Sequence, residues 1–259
     1  MSCPSMRLSV FAAILGMAML AGCASGPRLT PRTHKLVQLR TALGVGYMRQ
    51  GQLGLARNEL AHALALDPTD GAANNAMALV EERLREPVKA RQFFRRGLAH
   101  HPHDGSLQNN YGAFLCGTGH VAEGLRHFRT ALHSPLYPTP QLADLNMAVC
   151  LLKVPNEKAA IHYFHRAQAL APELAAPYYY LARIRYDRRD YAQAKDDLTQ
   201  YLARARSARA LFLGVRIGQA LKDVRFVHYC ATRLLDGYGH SREAQTVMQW
   251  QREGTLDGH

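Results

Sequence analysis

The sequence has 259 residues, with 32 lysines and arginines against 20 aspartates and glutamates, and a formal net charge of +12. This length allows one sizeable domain or a repeat array. The basic residues are scattered along the chain rather than clustered in a stripe, which argues against nucleic-acid binding. Such scatter is typical of a solvated surface, with attraction to anionic lipid headgroups as the functional alternative.

Residues 1–22 have the features of a signal peptide. Arg7 supplies a positive charge, and residues 8–20 form an apolar run of about thirteen residues, shorter than the roughly 20 that a membrane-spanning helix needs. The sequence LAGC at residues 20–23 resembles the bacterial lipobox, which implies that Cys23 is acylated and anchors the protein to a membrane. The alternative is an ordinary signal peptide that leaves Cys23 unmodified.

Residues 23–36 are interpreted as the lipidated cysteine and a flexible tether. The stretch ASGPRLTPRTH contains glycine, proline, serine and threonine and has no apolar period. Ala24 stands where a lipoprotein retained in the inner membrane typically has aspartate. The sorting rules of such lipoproteins therefore imply the outer membrane, with the protein facing the periplasm.

The rest of the chain repeats itself with a period of 34 residues. Similar segments end at Pro68, Pro102 and Pro172, which are spaced by 34 and then 70 residues. The longer spacing equals 34 plus 36, and its extra residues fall in SPLYPTP, whose prolines prevent a helix from continuing. A fixed period of this size indicates a solenoid.

Each unit resembles a tetratricopeptide repeat (TPR), which implies two helices, A and B. In the first unit Gly44 and Ala56 are small where the helices would approach, and Leu43, Tyr47 and Leu60 would fill the space around that contact. The expected units are residues 37–70, 71–104, 105–140, 141–174, 175–206 and 207–240. The predicted fold is thus an all-α TPR solenoid of about six helical hairpins in a superhelix.

A capping helix and tail are expected at residues 241–259, because the last hairpin of a stack needs an amphipathic cover. Ser241 would be the N-cap, and Ala244, Val247 and Met248 would lie on the last repeat.

The sequence shows no motif of an enzyme, neither a phosphate-binding glycine loop nor HExxH, GxSxG or a Rossmann fingerprint. Histidines gather at His100, His101 and His103 in a predicted turn, and at His162 and His165 on a helix B that would face outward. Neither group has enough further ligands at metal-binding spacing. We therefore expect no catalytic residue, no metal and no cofactor.

Three cysteines remain in the predicted mature chain besides Cys23. Cys116 and Cys150 fall on the A helices of consecutive units, so a disulfide is plausible in an oxidising periplasm if their Cα atoms lie within about 7 Å. The alternative is a pair of small core thiols. Cys230, on helix B of the last unit, is expected to be a buried free thiol.

A binding groove is expected on the concave side, which helix A lines in the TPR fold. Its lining would be largely apolar, and two asparagines could hold a peptide backbone. The alternative is that some of these side chains pack between neighbouring helices. The expected groove residues are Val45, Met48, Asn75, Leu79, Asn109, Leu142, Leu145, Val149, Leu152, Tyr179, Arg183 and Tyr186.

The segments NNYGAFL, SPLYP and LGVRI, together with the LAGC motif and the six units, resemble the PilW family of type IV pilus biogenesis and stability proteins, also called PilF. The chain departs from the repeat pattern at Gly124, where alanine is expected, and at Arg185 and Arg189. The resemblance implies an outer-membrane lipoprotein that helps the pilus secretin to localise or assemble. It also implies a cysteine pair at Cys116 and Cys150.

The first functional hypothesis is therefore a binding protein whose partners are the pilus secretin subunit or other pilus assembly proteins, with acyl chains in outer-membrane lipid and no nucleic acid. The second is a general periplasmic TPR scaffold for envelope or peptidoglycan enzymes. A hydrolase with an unrecognised site is the least favoured.

Overall fold

Capping residues define the N-termini of several helices in this chain. Asp70 accepts a hydrogen bond from the Ala73 amide at 2.7 Å, and Asp104 accepts one from the Leu107 amide at 3.0 Å. Prolines occupy the first position of three helices, where their fixed φ suits a helix and no donor is lost. The computed structural model describes residues 29–256.

Thirteen α-helices make up the regular structure within residues 29–256. They are α1 (Pro31–Arg49), α2 (Leu53–Leu66), α3 (Gly71–Arg83), α4 (Pro87–His100), α5 (Gly105–Gly117), α6 (Val121–Leu132), α7 (Pro140–Leu151), α8 (Glu157–Leu170), α9 (Ala175–Asp187), α10 (Tyr191–Arg204), α11 (Ala208–Leu221), α12 (Val224–Tyr238) and α13 (Arg242–Arg252). No strand occurs in this part of the chain, and no helix in it is both long and apolar enough to cross a membrane.

The first twelve helices form six hairpins in which each odd-numbered helix packs on the next even-numbered one. Successive hairpins stack, and their buried side chains form a chain of local apolar clusters. The contact within a hairpin is close because small residues stand at it. A Cβ added at Gly44 would lie 2.6 Å from Leu60 Cγ, and one added at Gly112 would lie 2.9 Å from Phe128 Cδ1. Small residues at the crossing are thus required by the packing.

A left-handed residue ends helix A in most hairpins and turns the chain into helix B. Glycines with positive φ serve here in the first and third hairpins, at Gly51 and Gly119. Arg85, Arg189 and Lys222 adopt φ values of 60°, 65° and 55° in the other hairpins that have this turn. Arg189, a departure from the repeat pattern, therefore fills a backbone role that needs no particular side chain.

A side chain near the start of helix A returns to the proline carbonyl six residues earlier in three hairpins. These bonds run from Asn74 Nδ2 to the Pro68 oxygen (3.0 Å), from Gln108 Nε2 to the Pro102 oxygen (2.6 Å) and from Tyr178 Oη to the Pro172 oxygen (3.3 Å). Asp144 stands at the same place in α7, six residues after Pro138, and its buried carboxylate oxygens receive no hydrogen bond. One hairpin therefore has an acceptor where three others have a donor.

The tether expected at residues 23–36 extends too far, because residues 31–36 belong to α1. The helix begins at Pro31 because the Thr30 hydroxyl accepts a hydrogen bond from the Thr33 amide at 3.1 Å, and Pro31 suits the first helical position. Leu43, expected in the core, is 42% exposed. The predicted signal peptide and Cys23 lie outside the described residues.

The longer connection between the third and fourth hairpins is anchored to the turn of the preceding repeat. Ser134 Oγ donates a hydrogen bond to the His103 carbonyl at 2.9 Å. Tyr137 is buried, and its ring lies where Gly105 has no side chain. The extra residues therefore pack against the array, while Leu136 is 90% exposed.

Helix α13 packs on both helices of the last hairpin. Ser241 caps it by accepting a hydrogen bond from the Ala244 amide at 3.1 Å, and Ala244 and Val247 are fully buried. Met248 was expected on the last repeat but is 37% exposed. Trp250 takes that place, with its ring 5.5 Å from that of Phe212.

Candidate functional site

The A helices form the surface on which the groove was expected. Helices α1, α3, α5 and α7 pack side by side, and α9 packs against α11. Most of the expected lining side chains are partly or fully exposed there: Val45, Asn75, Leu79, Leu142, Leu145, Val149, Leu152, Tyr179, Arg183 and Tyr186. This face can therefore contact a partner along much of its length.

Two expected groove residues are buried instead. Met48 is 7% exposed and packs in the apolar cluster of the first two hairpins. Asn109 is 4% exposed, and its Oδ1 accepts a hydrogen bond from Asn146 Nδ2 at 3.1 Å. Both side chains serve contacts between neighbouring helices, which the pattern of a single unit does not reveal.

Four asparagines form a row across α3, α5 and α7, here called the asparagine row. Asn110 Nδ2 donates to Asn75 Oδ1 at 3.0 Å, Asn146 Nδ2 donates to Asn109 Oδ1, and Asn109 lies beside Asn110. The Nδ2 group of Asn75 and the side-chain oxygen of Asn146 have no hydrogen-bond partner within the described residues. The row can therefore offer a donor at one end and an acceptor at the other to an extended backbone.

A disulfide joins α5 to α7. Cys116 and Cys150 are bridged with a Cα separation of 5.7 Å, and both are buried. Lys153 Nζ donates to the Cys116 carbonyl at 2.6 Å, next to the bridge. Cys230 is free and fully buried as expected, and burial raises the pKa of its thiol to about 12, so it stays protonated.

A pocket lined by α9, α11 and α13, here called the arginine pocket, lies in the C-terminal part of the array. It encloses a cavity of ≈ 250 Å³ lined by Tyr179, Arg183, Tyr186, Asp187, Arg209, Phe212, Leu213, Arg216 and Glu243. The Arg216 guanidinium lies over the Tyr186 ring, 5.0 Å from its centroid. Burial raises the pKa of Tyr179, and the positive charges of Arg183 and Arg209 oppose that rise.

The sequence pattern predicted Tyr179, Arg183 and Tyr186 but not the residues that α11 contributes to this pocket. The spacing that selected these three residues would select Leu211 and Val215 in the sixth unit, and both are buried. The pocket is lined instead by Arg209 and by Phe212 and Arg216, which lie one position further along α11.

Two of the five histidines that suggested a metal site make other side-chain hydrogen bonds. His101 donates a ring nitrogen to the Thr69 carbonyl at 3.0 Å, and His165 Nδ1 donates to Gln168 Oε1 at 2.9 Å. Among residues 29–256, no group of three histidines, cysteines or carboxylates is arranged to hold a metal ion.

Comparisons with known proteins follow the repeat architecture. No model of a known protein family matches the sequence. The sequence is 28% identical over 182 residues to the type IV pilus assembly protein PilF of Pseudomonas aeruginosa, covering 70% of this chain and 72% of that protein.

Solved structures agree with the sequence match. The crystal structure of PilW, a widely conserved type IV pilus biogenesis factor, is similar with a TM-score of 0.75 and 31% identity, covering 82% of this chain and 98% of that one. The structure of Pseudomonas aeruginosa PilF gives a TM-score of 0.75 at 26% identity, over 86% and 99% of the two chains. A thermophilic TPR protein of Thermus thermophilus shares the fold at 19% identity, with a TM-score of 0.57 over 71% of this chain and 98% of that one.

The predicted all-α TPR solenoid is thereby confirmed. The relatives are TPR proteins and pilus biogenesis proteins rather than enzymes, in agreement with the expectation of a binding protein.

Proposed function

The chain belongs to the PilW/PilF family of TPR proteins of type IV pilus biogenesis, and from this premise we propose that it is an outer-membrane lipoprotein that binds the pilus secretin subunit. Other pilus assembly proteins are the remaining class of partner. The protein acts by binding, with no turnover.

The observation that carries the proposal is the exposed face of the A helices. Partly exposed aliphatic side chains such as Leu79, Leu145 and Val149 flank the asparagine row. Apolar contacts supply affinity for a segment of another protein, and unpaired amide groups fix its register by hydrogen bonding to the backbone. Such a surface suits an extended peptide or a helix of an assembly partner.

Membrane attachment rests on Cys23 and the short stretch behind it. Only residues 24–30 separate Cys23 from the first residue of α1, and seven residues span at most ~25 Å when fully extended. Acyl chains on Cys23 would hold the groove close to the bilayer and raise the local concentration of its partner there.

A gene deletion in the native host tests the pilus role. Loss of surface pili together with loss of secretin multimers from the outer membrane is the expected result. Loss of pili with normal multimers would move the proposal to another assembly protein, and normal pili would contradict the pilus role. Cys23→Ala should release the protein from the outer-membrane fraction, whereas an unchanged distribution would contradict attachment through Cys23.

Two matched variants test the groove. Leu145→Glu places a charge on the partly exposed lining of α7, and Leu170→Glu places the same charge at a 53% exposed site at the end of α8. Both should fold, as judged by circular dichroism, but only Leu145→Glu should fail to restore pili in the deletion strain. Equal restoration by both variants would show that the partner binds elsewhere.

A further inference from the structure

The arginines of the arginine pocket have no carboxylate of residues 29–256 within 3.5 Å, whereas several arginines elsewhere in the array form close ion pairs. Ion pairs outside it include Arg40 with Glu59 at 2.7 Å, Arg57 with Glu81 at 2.8 Å and Arg185 with Asp197 at 2.7 Å. In the pocket, Arg183 makes no hydrogen bond or ion pair with the described residues. Arg209 approaches Glu243 at 4.0 Å, and Arg216 only lies over Tyr186.

The pocket combines these cations with an aromatic floor. Tyr179, Tyr186 and Phe212 line the cavity and are partly buried. A guanidinium stacked on a ring, as Arg216 is on Tyr186, keeps its N–H edge free to bind a carboxylate in two hydrogen bonds. The cavity of ≈ 250 Å³ lies below the ~300–1,000 Å³ of typical small-molecule sites. It suits the side chains of a docked segment better than a cofactor.

Charge separates this pocket from the rest of the groove. The members of the expected lining that are partly or fully exposed on α1 and α3, and on α7 with its C-cap, are uncharged: Val45, Asn75, Leu79, Leu142, Leu145, Val149 and Leu152. The pocket has three arginines against two carboxylates, Asp187 and Glu243, and therefore keeps a positive excess. A partner that spans the groove would meet these uncharged side chains first and the arginines toward the C-terminal end.

On the basis of the proposed function, we infer that the arginine pocket binds the carboxylates of an acidic segment of the pilus partner. Arg183 and Arg216 hold the carboxylates, and an apolar side chain next to them lies on the aromatic floor. The asparagine row then takes the neighbouring backbone. The partner is thus recognised by an apolar stretch that ends in aspartates or glutamates.

A peptide-binding experiment tests this inference with the full-length chain purified in detergent. The probes are a short fluorescein-labelled peptide in which glutamates alternate with leucine and phenylalanine, and the same peptide with glutamines. Fluorescence anisotropy should show that the acidic peptide binds roughly tenfold or more tightly than the glutamine peptide, with an affinity that falls as salt rises.

The Arg183→Gln/Arg216→Gln double variant should weaken the acidic peptide roughly tenfold, toward the affinity of the glutamine peptide. Arg126→Gln/Arg129→Gln removes the same charge from the exposed face of α6 and should change binding by less than about twofold. Equal binding by the two double variants, or no preference for the acidic peptide, would overturn the inference.

A second measurement separates this inference from the proposed function. Wild type and both double variants are incubated with outer-membrane extract, and bound secretin is detected by antibody. Loss of capture only in Arg183→Gln/Arg216→Gln supports both proposals. Equal capture by all three proteins would contradict the role of the arginine pocket but support secretin as the partner. If none of the three proteins captures secretin but the acidic peptide binds in the arginine-dependent way, the inference about the pocket is supported and the proposal of secretin as the partner is contradicted.

Discussion

Gly124 replaces the alanine expected in the repeat because its neighbours leave no room for a side chain. A Cβ there would lie 2.6 Å from Cys116 Sγ and 2.7 Å from the Gly112 carbonyl oxygen. The disulfide sulfur and a helix backbone cannot move aside easily. What looks like a departure in sequence is therefore demanded by the bridge.

We expect Gly124→Ala to lower the free energy of unfolding by about 1–3 kcal/mol, because overpacking exceeds the ~1 kcal/mol gain in helix propensity. Gly46, which has no neighbouring atom within 4 Å of an added Cβ, is the matched control within α1. Gly46→Ala should stabilise the protein by up to about 1 kcal/mol. Urea denaturation measures both, and equal effects would show that the contact at Gly124 is relaxed at little cost.

Asp144 carries an electrostatic cost that its neighbours only partly offset. Burial raises the pKa of its carboxyl from 3.8 to about 6, and the positive charges of Arg166 and His162 oppose the rise. Arg166 Nε lies 3.5 Å from Oδ2 without forming a hydrogen bond. The native state therefore binds a proton more tightly than the unfolded chain, so stability falls as pH rises from about 4 to about 6.

We expect Asp144→Asn to raise the free energy of unfolding at pH 7 by up to about 3 kcal/mol, since the amide carries no charge and can donate to a carbonyl as Asn74 does. The gain should shrink as pH falls and vanish near pH 4. Asn74→Asp is the reverse control and should destabilise the protein more at pH 7 than at pH 4. If the free energy of unfolding of wild type and of Asp144→Asn changes in parallel with pH, the raised pKa of Asp144 is contradicted.

At the scale of the elements, α13 protects the apolar end of the stack. Val247 is fully buried, while the next residue, Met248, is 37% exposed. Gln219 Nε2 donates to the Leu256 carbonyl at 2.8 Å and ties the tail behind α13 to α11. This helix is therefore part of the sixth hairpin's core rather than an appendage.

We expect Val247→Asp to destabilise α11 to α13 by roughly 3–5 kcal/mol, because it buries an unpaired charge. Met248→Asp should have little effect because its site is open to water. Hydrogen exchange should show faster exchange in α11 and α12 for Val247→Asp alone, since repeats depend mainly on their nearest neighbours. Unchanged exchange in those helices would mean that the stack does not need its cover.

The sequence predicted the hairpins because a period of 34 residues and small residues at the helix crossings recur in each unit. It misplaced the start of α1 because Thr30 and Pro31 begin that helix with capping geometry, which apolar spacing does not report. Met48 and Asn109 were misjudged because their burial depends on the next hairpin. The contribution of α11 to the arginine pocket was missed because its lining residues lie one position beyond those that the repeat spacing selects.

For the whole molecule, the disulfide links the third and fourth hairpins of an array that otherwise depends on local contacts. Closing a loop with a sequence separation of 34 stabilises a protein by roughly 3–4 kcal/mol in the chain-entropy model. The Cys116–Cys150 bridge is therefore expected to be a main support of the middle of the stack.

We expect the Cys116→Ser/Cys150→Ser double variant to lower the free energy of unfolding by about 3–4 kcal/mol. Wild type in reductant should lose a similar amount, whereas the double variant should not respond to reductant. Thermal melts with and without dithiothreitol measure both. A wild type that is indifferent to reductant would show that the bridge adds nothing to stability.

The bridge between α5 and α7 also decides how the protein responds to being pulled. Tension applied to the two ends of the described chain would cross from α5 to α7 through the disulfide, so residues 117–149 would carry no load. At ~3.4 Å per residue, the disulfide therefore keeps roughly 110 Å of polypeptide from being extended. The helices on either side can unfold under tension while the segment inside the disulfide loop stays folded.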